Sequence, residues 1–195
     1  GDISLSSYGV ATQIETLADE YTLVSGGDIS YSLGKIFTGS VVAAGDTSAI
    51  TYEVRNGMEA GASISDFAAL PFDFDSEFSL LSQISLSLSQ TPINTSVEYK
   101  WGGVYMTGDC ESSTQVFDID GETVKTSYSF VLECVPADAT LIFNIAGANP
   151  GFVTIGLTHL APWASKTIFN FFEAETVTFT HVGIEGTVLA PTADI

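Results

Sequence analysis

The residues best suited to chemistry in this sequence are carboxylates. Asp73-Phe74-Asp75-Ser76-Glu77 sets three acids at alternating positions. In an extended segment alternate side chains share one side, so Asp73, Asp75 and Glu77 together would suit a hard cation such as calcium. Asp118, Asp120 and Glu122 form a second cluster with the Asp-x-Asp-Gly start of a calcium loop but without its remaining ligands. The plainer alternative is a solvated face for the first cluster and turn formers for the second. Near-neutral bases are limited to His159 and His181, and neither sits in a catalytic motif. The chain has no Gly-x-Ser-x-Gly elbow, no His-Glu-x-x-His, no P-loop and no Gly-x-Gly-x-x-Gly. The expectation is a non-enzymatic protein with no cofactor beyond a candidate calcium ion.

Three further groups of residues bear on binding and location. Tyr99, Trp101, Tyr105 and Trp163 could present aromatic faces to a carbohydrate. Tyr99, Trp101 and Tyr105 share odd parity, although Gly102-Gly103 between them predicts a bulge, and a buried aromatic cluster is the competing reading. Asn94-Thr95-Ser96 is a glycosylation sequon, with Asn94 in a turn after Pro92. Cys110 and Cys134 are the only cysteines, and Cys110 lies in a polar loop where a free thiol would be oxidisable, so a disulfide and an oxidising, extracellular compartment are expected.

Charge narrows the partners. Twenty-four acidic residues against five basic ones give a net charge of −19, which repels nucleic acid and anionic lipid alike. No run approaches the ~18 apolar residues that span a bilayer. Gly1 in place of Met fits a chain whose leader has been removed.

The elements that must position these residues read mainly as strands. Ile84-Ser85-Leu86-Ser87-Leu88-Ser89 alternates aliphatic and serine residues, the pattern of a half-buried strand. Similar text recurs at Ile3-Ser4-Leu5-Ser6 and Ile29-Ser30-Tyr31-Ser32-Leu33, but the intervals are irregular and no solenoid repeat is expected. Further strands are expected at 40–44, 49–55, 97–106, 114–119, 123–134, 140–146, 152–158, 167–172, 175–182 and 184–189. Asp120-Gly121 between alternating apolar runs predicts a tight hairpin. Thr12 to Leu23 and Glu59 to Leu70 carry helical signals. Together these predict an all-β fold, a two-sheet β-sandwich of jelly-roll type with at most one or two short helices, forming a single domain over 1–195.

Scarce Lys leaves strand edges without their usual guards, which makes assembly an attractive function. Residues 1–14 form a candidate exchanged or docking strand, with Ile3 and Leu5, then Tyr8, Val10 and Ile14, in alternation across a slip at Ser6-Ser7. On this segment, the Ser/Thr-rich strands and the single cysteine pair, the chain resembles secreted β-sandwich subunits that polymerise by donating an N-terminal strand, as in bacterial pili and similar surface filaments. That resemblance implies an extracellular homopolymer built by β-strand addition. The chain departs from chaperone-usher pilins at its C-terminal Ala190-Pro191-Thr192-Ala193-Asp194-Ile195, which has no penultimate aromatic, and in its mid-chain cysteines. It also has no long apolar N-terminal helix of the type IV kind. The alternatives are a secreted carbohydrate- or calcium-binding module and a viral capsid jelly roll.

Overall fold

The computed structural model describes residues 1–11 and 20–194, so the part of the expected helix at 12–19, and Ile14 with it, lies outside the described residues. The chain divides into two compact units, Gly1–Asp75 and Ser76–Ile195.

In the first unit, β1 (Ile3–Leu5), β2 (Tyr8–Val10), β3 (Tyr21–Ser25), β4 (Ile29–Tyr31), β5 (Gly34–Ile36), β6 (Ser40–Ala43) and β7 (Ile64–Ser65) are joined by turns and one short helix, α1 (Tyr52–Asn56). Every pairing among its described strands is parallel. Strand β1 lies on β4 with Ile3 opposite Ile29, β2 on β5 with Tyr8 opposite Gly34, and β6 between β3 and β7. The first two registers share one offset, from Ile3 to Ile29 and from Tyr8 to Gly34, so the chain coils and returns to the same position one layer on. Ser7 turns the corner between β1 and β2 with φ of 62°, which accounts for the slip in alternation there. Ile29, Tyr31, Ile36, Val41, Ala43, Ile50 and Val54 fill the core inside the coils.

The second unit holds most of α2 (Phe74–Ser89), then β8 (Ser96–Lys100), β9 (Gly103–Thr107), β10 (Thr114–Asp120), α3 (Gly121–Thr126), β11 (Ser129–Glu133), β12 (Thr140–Ala146), β13 (Gly151–Val153), a 3₁₀ segment at Thr158–Lys166, β14 (Thr167–Asn170), β15 (Thr178–Thr180) and β16 (Thr187–Leu189). Here too successive coils stack in parallel: β9 with β11, β13 with β15, and β10, β12, β14 and β16 in one four-stranded sheet. Val116-Phe117-Asp118 thus lies beside Ile142-Phe143-Asn144 and then Ile168-Phe169-Asn170.

Identical register puts like residues in columns. Phe117, Phe143 and Phe169 stack inside the coil at centroid separations of 5.1 and 5.3 Å, and all three are fully buried. On the other face of the same sheet the buried amides of Asn144 and Asn170 are bonded to each other at 2.9 Å, Asn170 exchanges bonds with the Ser85 hydroxyl and carbonyl at 2.6 and 2.9 Å, and Asn144 donates to the Leu88 carbonyl at 3.1 Å. The last turns of α2 therefore cover that face, and β12 is enclosed on both sides, as parallel strands usually are.

The structure is largely β, but its parallel coils replace the expected antiparallel jelly-roll sandwich. Among the described strands, the antiparallel pair is β8 and β9. Residues 84–89, expected as a strand, form the end of α2. Phe74, Phe78, Leu81, Ser85 and Leu88 carry a helical spacing of four and three that overlies the period-two text, and the Asp73 carboxylate accepts the Asp75 amide at 3.2 Å in the first turn. No hairpin forms at Asp120-Gly121. There β10 runs into α3, and a Cβ on Gly121 would lie 2.3 Å from the Ala146 carbonyl oxygen, so this glycine permits close approach of coils rather than a left-handed turn. The two-residue hairpin turn is instead Trp101-Gly102, with φ of 50° and 73°. Residues 52–56 are helical where a strand was expected, and the 59–70 stretch contains β7 in place of a helix. Nor is 123–134 one strand, because α3 occupies its start.

The Phe143 ring touches Phe117, Phe130 and Phe169. Phe143→Ala should lower the unfolding free energy of the full chain by about 3–5 kcal/mol, read from urea denaturation. A loss under about 1 kcal/mol would mean that the column is not a principal source of stability.

Candidate binding surfaces

Two built surfaces emerge, one in each unit. In the first, three Gly-Asp pairs, 1–2, 27–28 and 45–46, occupy the same corner of successive coils. The Asp2 carboxylate accepts the Asp28 amide at 2.9 Å and the Asp28 carboxylate accepts the Asp46 amide at 2.8 Å. A Cβ on Gly27 or Gly45 would lie 2.2 or 2.1 Å from these oxygens, so the bonds require glycine. Asp46 in turn accepts the Ser48 hydroxyl at 2.6 Å and its amide at 2.8 Å, and these bonds hold its carboxyl below the usual range. Beside this column, Ser30 donates to Ser4 at 3.0 Å and Ser32 to Ser6 at 3.1 Å, while the Thr51 hydroxyl continues the second row to the Ser32 carbonyl at 3.2 Å. The result is a hydrogen-bonded ladder of outward hydroxyls.

In the second unit, β8, β9 and β11 form a sheet whose outer face carries Glu98, Lys100, Tyr105 and Glu133 around a depression of about 370 Å³, with Trp101 at its rim. The Lys100 ammonium is 2.6 Å from the Glu98 carboxylate and lies 5.2 and 4.9 Å from the Trp101 and Tyr105 ring centres. The bond to Glu98 raises the Lys100 pKa, and the reciprocal bond lowers that of Glu98. Trp101 meets Tyr105 edge-on at 5.7 Å. Tyr99 pairs with Val104 rather than Tyr105 and points to the other face, where its hydroxyl accepts the Asp120 amide at 2.7 Å. The three aromatics therefore do not form one row, because the Trp101-Gly102 turn breaks their shared parity. Trp163 is half-buried and donates to the Pro136 carbonyl at 2.9 Å.

Other sequence candidates have structural settings. Asp73, Asp75 and Glu77 enter the start of α2, so the extended geometry that would have aligned them is not present. Among the described residues no group of three or more His, Cys, Asp or Glu side chains could hold a metal ion. Asn94 is half-buried, and the amide nitrogen that would carry a glycan donates to Asp109 at 3.0 Å and to the Thr114 carbonyl at 2.9 Å, while its oxygen accepts the Val116 amide at 3.0 Å. Cys110 and Cys134 are joined by a disulfide across adjacent coils, with Cα atoms 4.6 Å apart. Ile3, Leu5, Tyr8 and Val10 already have their own chain as strand partner. His159 has its ring 6.2 Å from Phe130, and partial burial pushes its pKa down. His181 is exposed at φ 51°, and among the described residues neither histidine bonds a nucleophile or carboxylate.

Polar ladders thus repeat along stacked parallel coils. A family described as "Putative Ice-binding-like adhesive domain" matches residues 1–195, and the chain belongs to that family. Membership suggests a surface adhesive protein and is compatible with a non-enzymatic, extracellular role. No curated protein and no solved structure matches it significantly. Among the described residues, no helix is long and apolar enough to cross a membrane.

Beside the disulfide, Asp109 organises the loop at 109–115. It accepts the Ser112 hydroxyl, the Gln115 amide group and the Ser112 and Glu111 backbone amides, which hold its carboxyl far below the usual range. A folded pKa below the unfolded one stabilises the fold above the ordinary aspartate value, and that contribution is lost as pH falls from about 4 toward the folded pKa. Asp109→Asn should be less stable than the native chain at neutral pH, and the gap should narrow on acidification below pH ~4. Thermal melts at stepped pH check this, and a gap independent of pH would refute it.

Proposed function

We propose that this chain is the adhesive module of an extracellular surface protein and attaches its bearer to an extended, repeating surface through the hydroxyl and carboxylate ladder of residues 1–75. The carrying observation is the Ser4–Ser30 and Ser6–Ser32 pairing beside the Asp2, Asp28 and Asp46 column. Adjacent coils repeat at about 4.8 Å and alternate residues along a strand at about 6.7 Å, so the hydroxyls form a two-dimensional array. An array of this kind suits a target with its own lattice. Ice is the first candidate, given the family's description, and a crystalline polysaccharide is the second. Each contact is weak, and many made at once from a rigid frame hold firmly.

Self-assembly by strand addition is the second reading. It draws on β1 and β2, which pair with β4 and β5 on one side and, among the described residues, have no strand on the other. Those outer edges could accept another strand without removing residues 3–10 from their own sheet.

The tests separate the two. Labelled native chain should adsorb to growing ice or crystalline cellulose, and a Ser4→Tyr/Ser30→Tyr double variant, whose rings break the array, should lose at least about tenfold of that adsorption, ~1.4 kcal/mol. Equal adsorption by the variant, or none by the native chain, would remove the ladder as the contact. Light scattering across a concentration series should show growing polymers if strand addition operates, and a constant mass would end that reading.

A further inference from the structure

The depression beside Trp101 belongs to the second unit and shares no residue with the serine ladder, and its construction points to a different kind of ligand. Trp101 is 75% exposed, yet both its backbone and its ring have partners. Its carbonyl accepts the Tyr128 hydroxyl, its ring is flanked by Lys100 and Tyr105, and the hairpin turn beneath it is closed by Gly102, where any Cβ would strike the Tyr128 ring at 2.3 Å. A large apolar ring flanked in this way has less side-chain freedom to lose on contact than an unflanked one.

The surrounding groups select the ligand by elimination. An anion would meet the Glu98 and Glu133 carboxylates on a chain of net charge −19. A second cation would meet the Lys100 ammonium, which lies 5.2 and 4.9 Å from the two ring centres and is already paired with Glu98. A purely apolar ligand would strip water from two carboxylates and an ammonium without replacing their hydrogen bonds. What remains is a neutral ring with an apolar face and a rim of hydroxyls. Such a ring can lay its C–H face on Trp101, donate hydroxyls to Glu133 and Glu98, and accept from Lys100, and the volume of about 370 Å³ is within the size of small-ligand sites.

We infer that this depression is a carbohydrate subsite for a neutral pyranose unit of a glycan, with Trp101 as the stacking platform and Glu133 and Lys100 as the polar rim. The inference goes beyond adhesion through the ladder and uses none of its residues.

Trp101 reports on its own occupancy, since the other tryptophan, Trp163, is half-buried with its indole nitrogen bonded. Intrinsic fluorescence and calorimetric titration of the whole chain with neutral cello-, manno-, chito- and malto-oligosaccharides should show saturable binding to at least one series at millimolar concentration or below. Trp101→Ala should weaken it by at least about tenfold, equivalent to ~1.4 kcal/mol, Trp101→Tyr should retain part of it, and Glu133→Gln should weaken it several-fold while leaving the fluorescence change in place. Tyr52→Ala, an exposed aromatic of the first unit, and the Ser4→Tyr/Ser30→Tyr variant should bind like the native chain. Circular dichroism confirms that each variant is folded. Absence of binding to every neutral series, or equal binding by Trp101→Ala, would overturn the subsite without touching the ladder.

Discussion

The constraint on which this structure depends is in-register parallel pairing. Once a coil returns to its starting position, each residue sits beside its counterpart in the next coil, as Ile3 does beside Ile29 and Phe117 beside Phe143. Every column must then tolerate its own kind. Aromatic columns do so by offset stacking, seen at interplanar angles of 24° and 16° in the Phe117, Phe143 and Phe169 series. Amide columns do so because one amide both donates and accepts, as Asn170 and Asn144 show. Serine columns use the same property of hydroxyls. Aspartate is the difficult case, since stacked carboxylates repel. Asp2 and Asp28 avoid the conflict by turning each carboxylate onto the backbone amide of the following coil, through a gap that only glycine leaves.

Corners carry a related constraint. A coil this short must turn sharply several times before it closes, and the turns fall where non-glycine residues accept left-handed conformations: Ser7, Ala11, Cys110, Cys134 and Thr154 all have positive φ. Cys110 and Cys134 occupy equivalent corners, and the Cys110 amide bonds the Cys134 carbonyl at 3.0 Å. The disulfide therefore joins positions that backbone pairing has already brought together, and Asp109 next to it gathers the loop donors.

The strand chemistry was legible, and the architecture was partly so. Residues 140–146 match β12 at both ends, and strands at 40–44 and 114–119 come within a residue. The coil period was also present: Gly1-Asp2-Ile3-Ser4 repeats as Gly27-Asp28-Ile29-Ser30, and Phe117-Asp118, Phe143-Asn144 and Phe169-Asn170 follow one another at the same interval. It was hidden because Ile84 to Ser89, which imitates the serine text, belongs to a helix and spoils the spacing when counted as another copy. Period-two alternation fits a half-buried strand in any sheet, parallel or antiparallel, so alternation by itself favoured no topology. Asp-Gly at 120–121 misled for a similar reason, because a glycine demanded by close packing looks the same in a sequence as one demanded by φ.

The binding surfaces were legible in proportion to how much they rely on repetition. Trp101 and Tyr105 were visible as aromatics, but Glu98 and Lys100 lie on a strand far along the chain from the one that carries Glu133, and nothing local ties Glu133 to Trp101 until β11 lies against β9. The serine ladder, by contrast, is written twice between Ile3 and Ser32. The two surfaces also divide the physics of adhesion. A ladder gains strength from number, since each hydroxyl adds little and rigidity keeps all of them in step with a regular target. On the proposed reading, a flanked tryptophan between charged groups gains from shape and engages one ring at a time. A scaffold of stacked coils can hold both, because its backbone register is set by the interior columns and leaves the outward residues free to be chosen for what they touch.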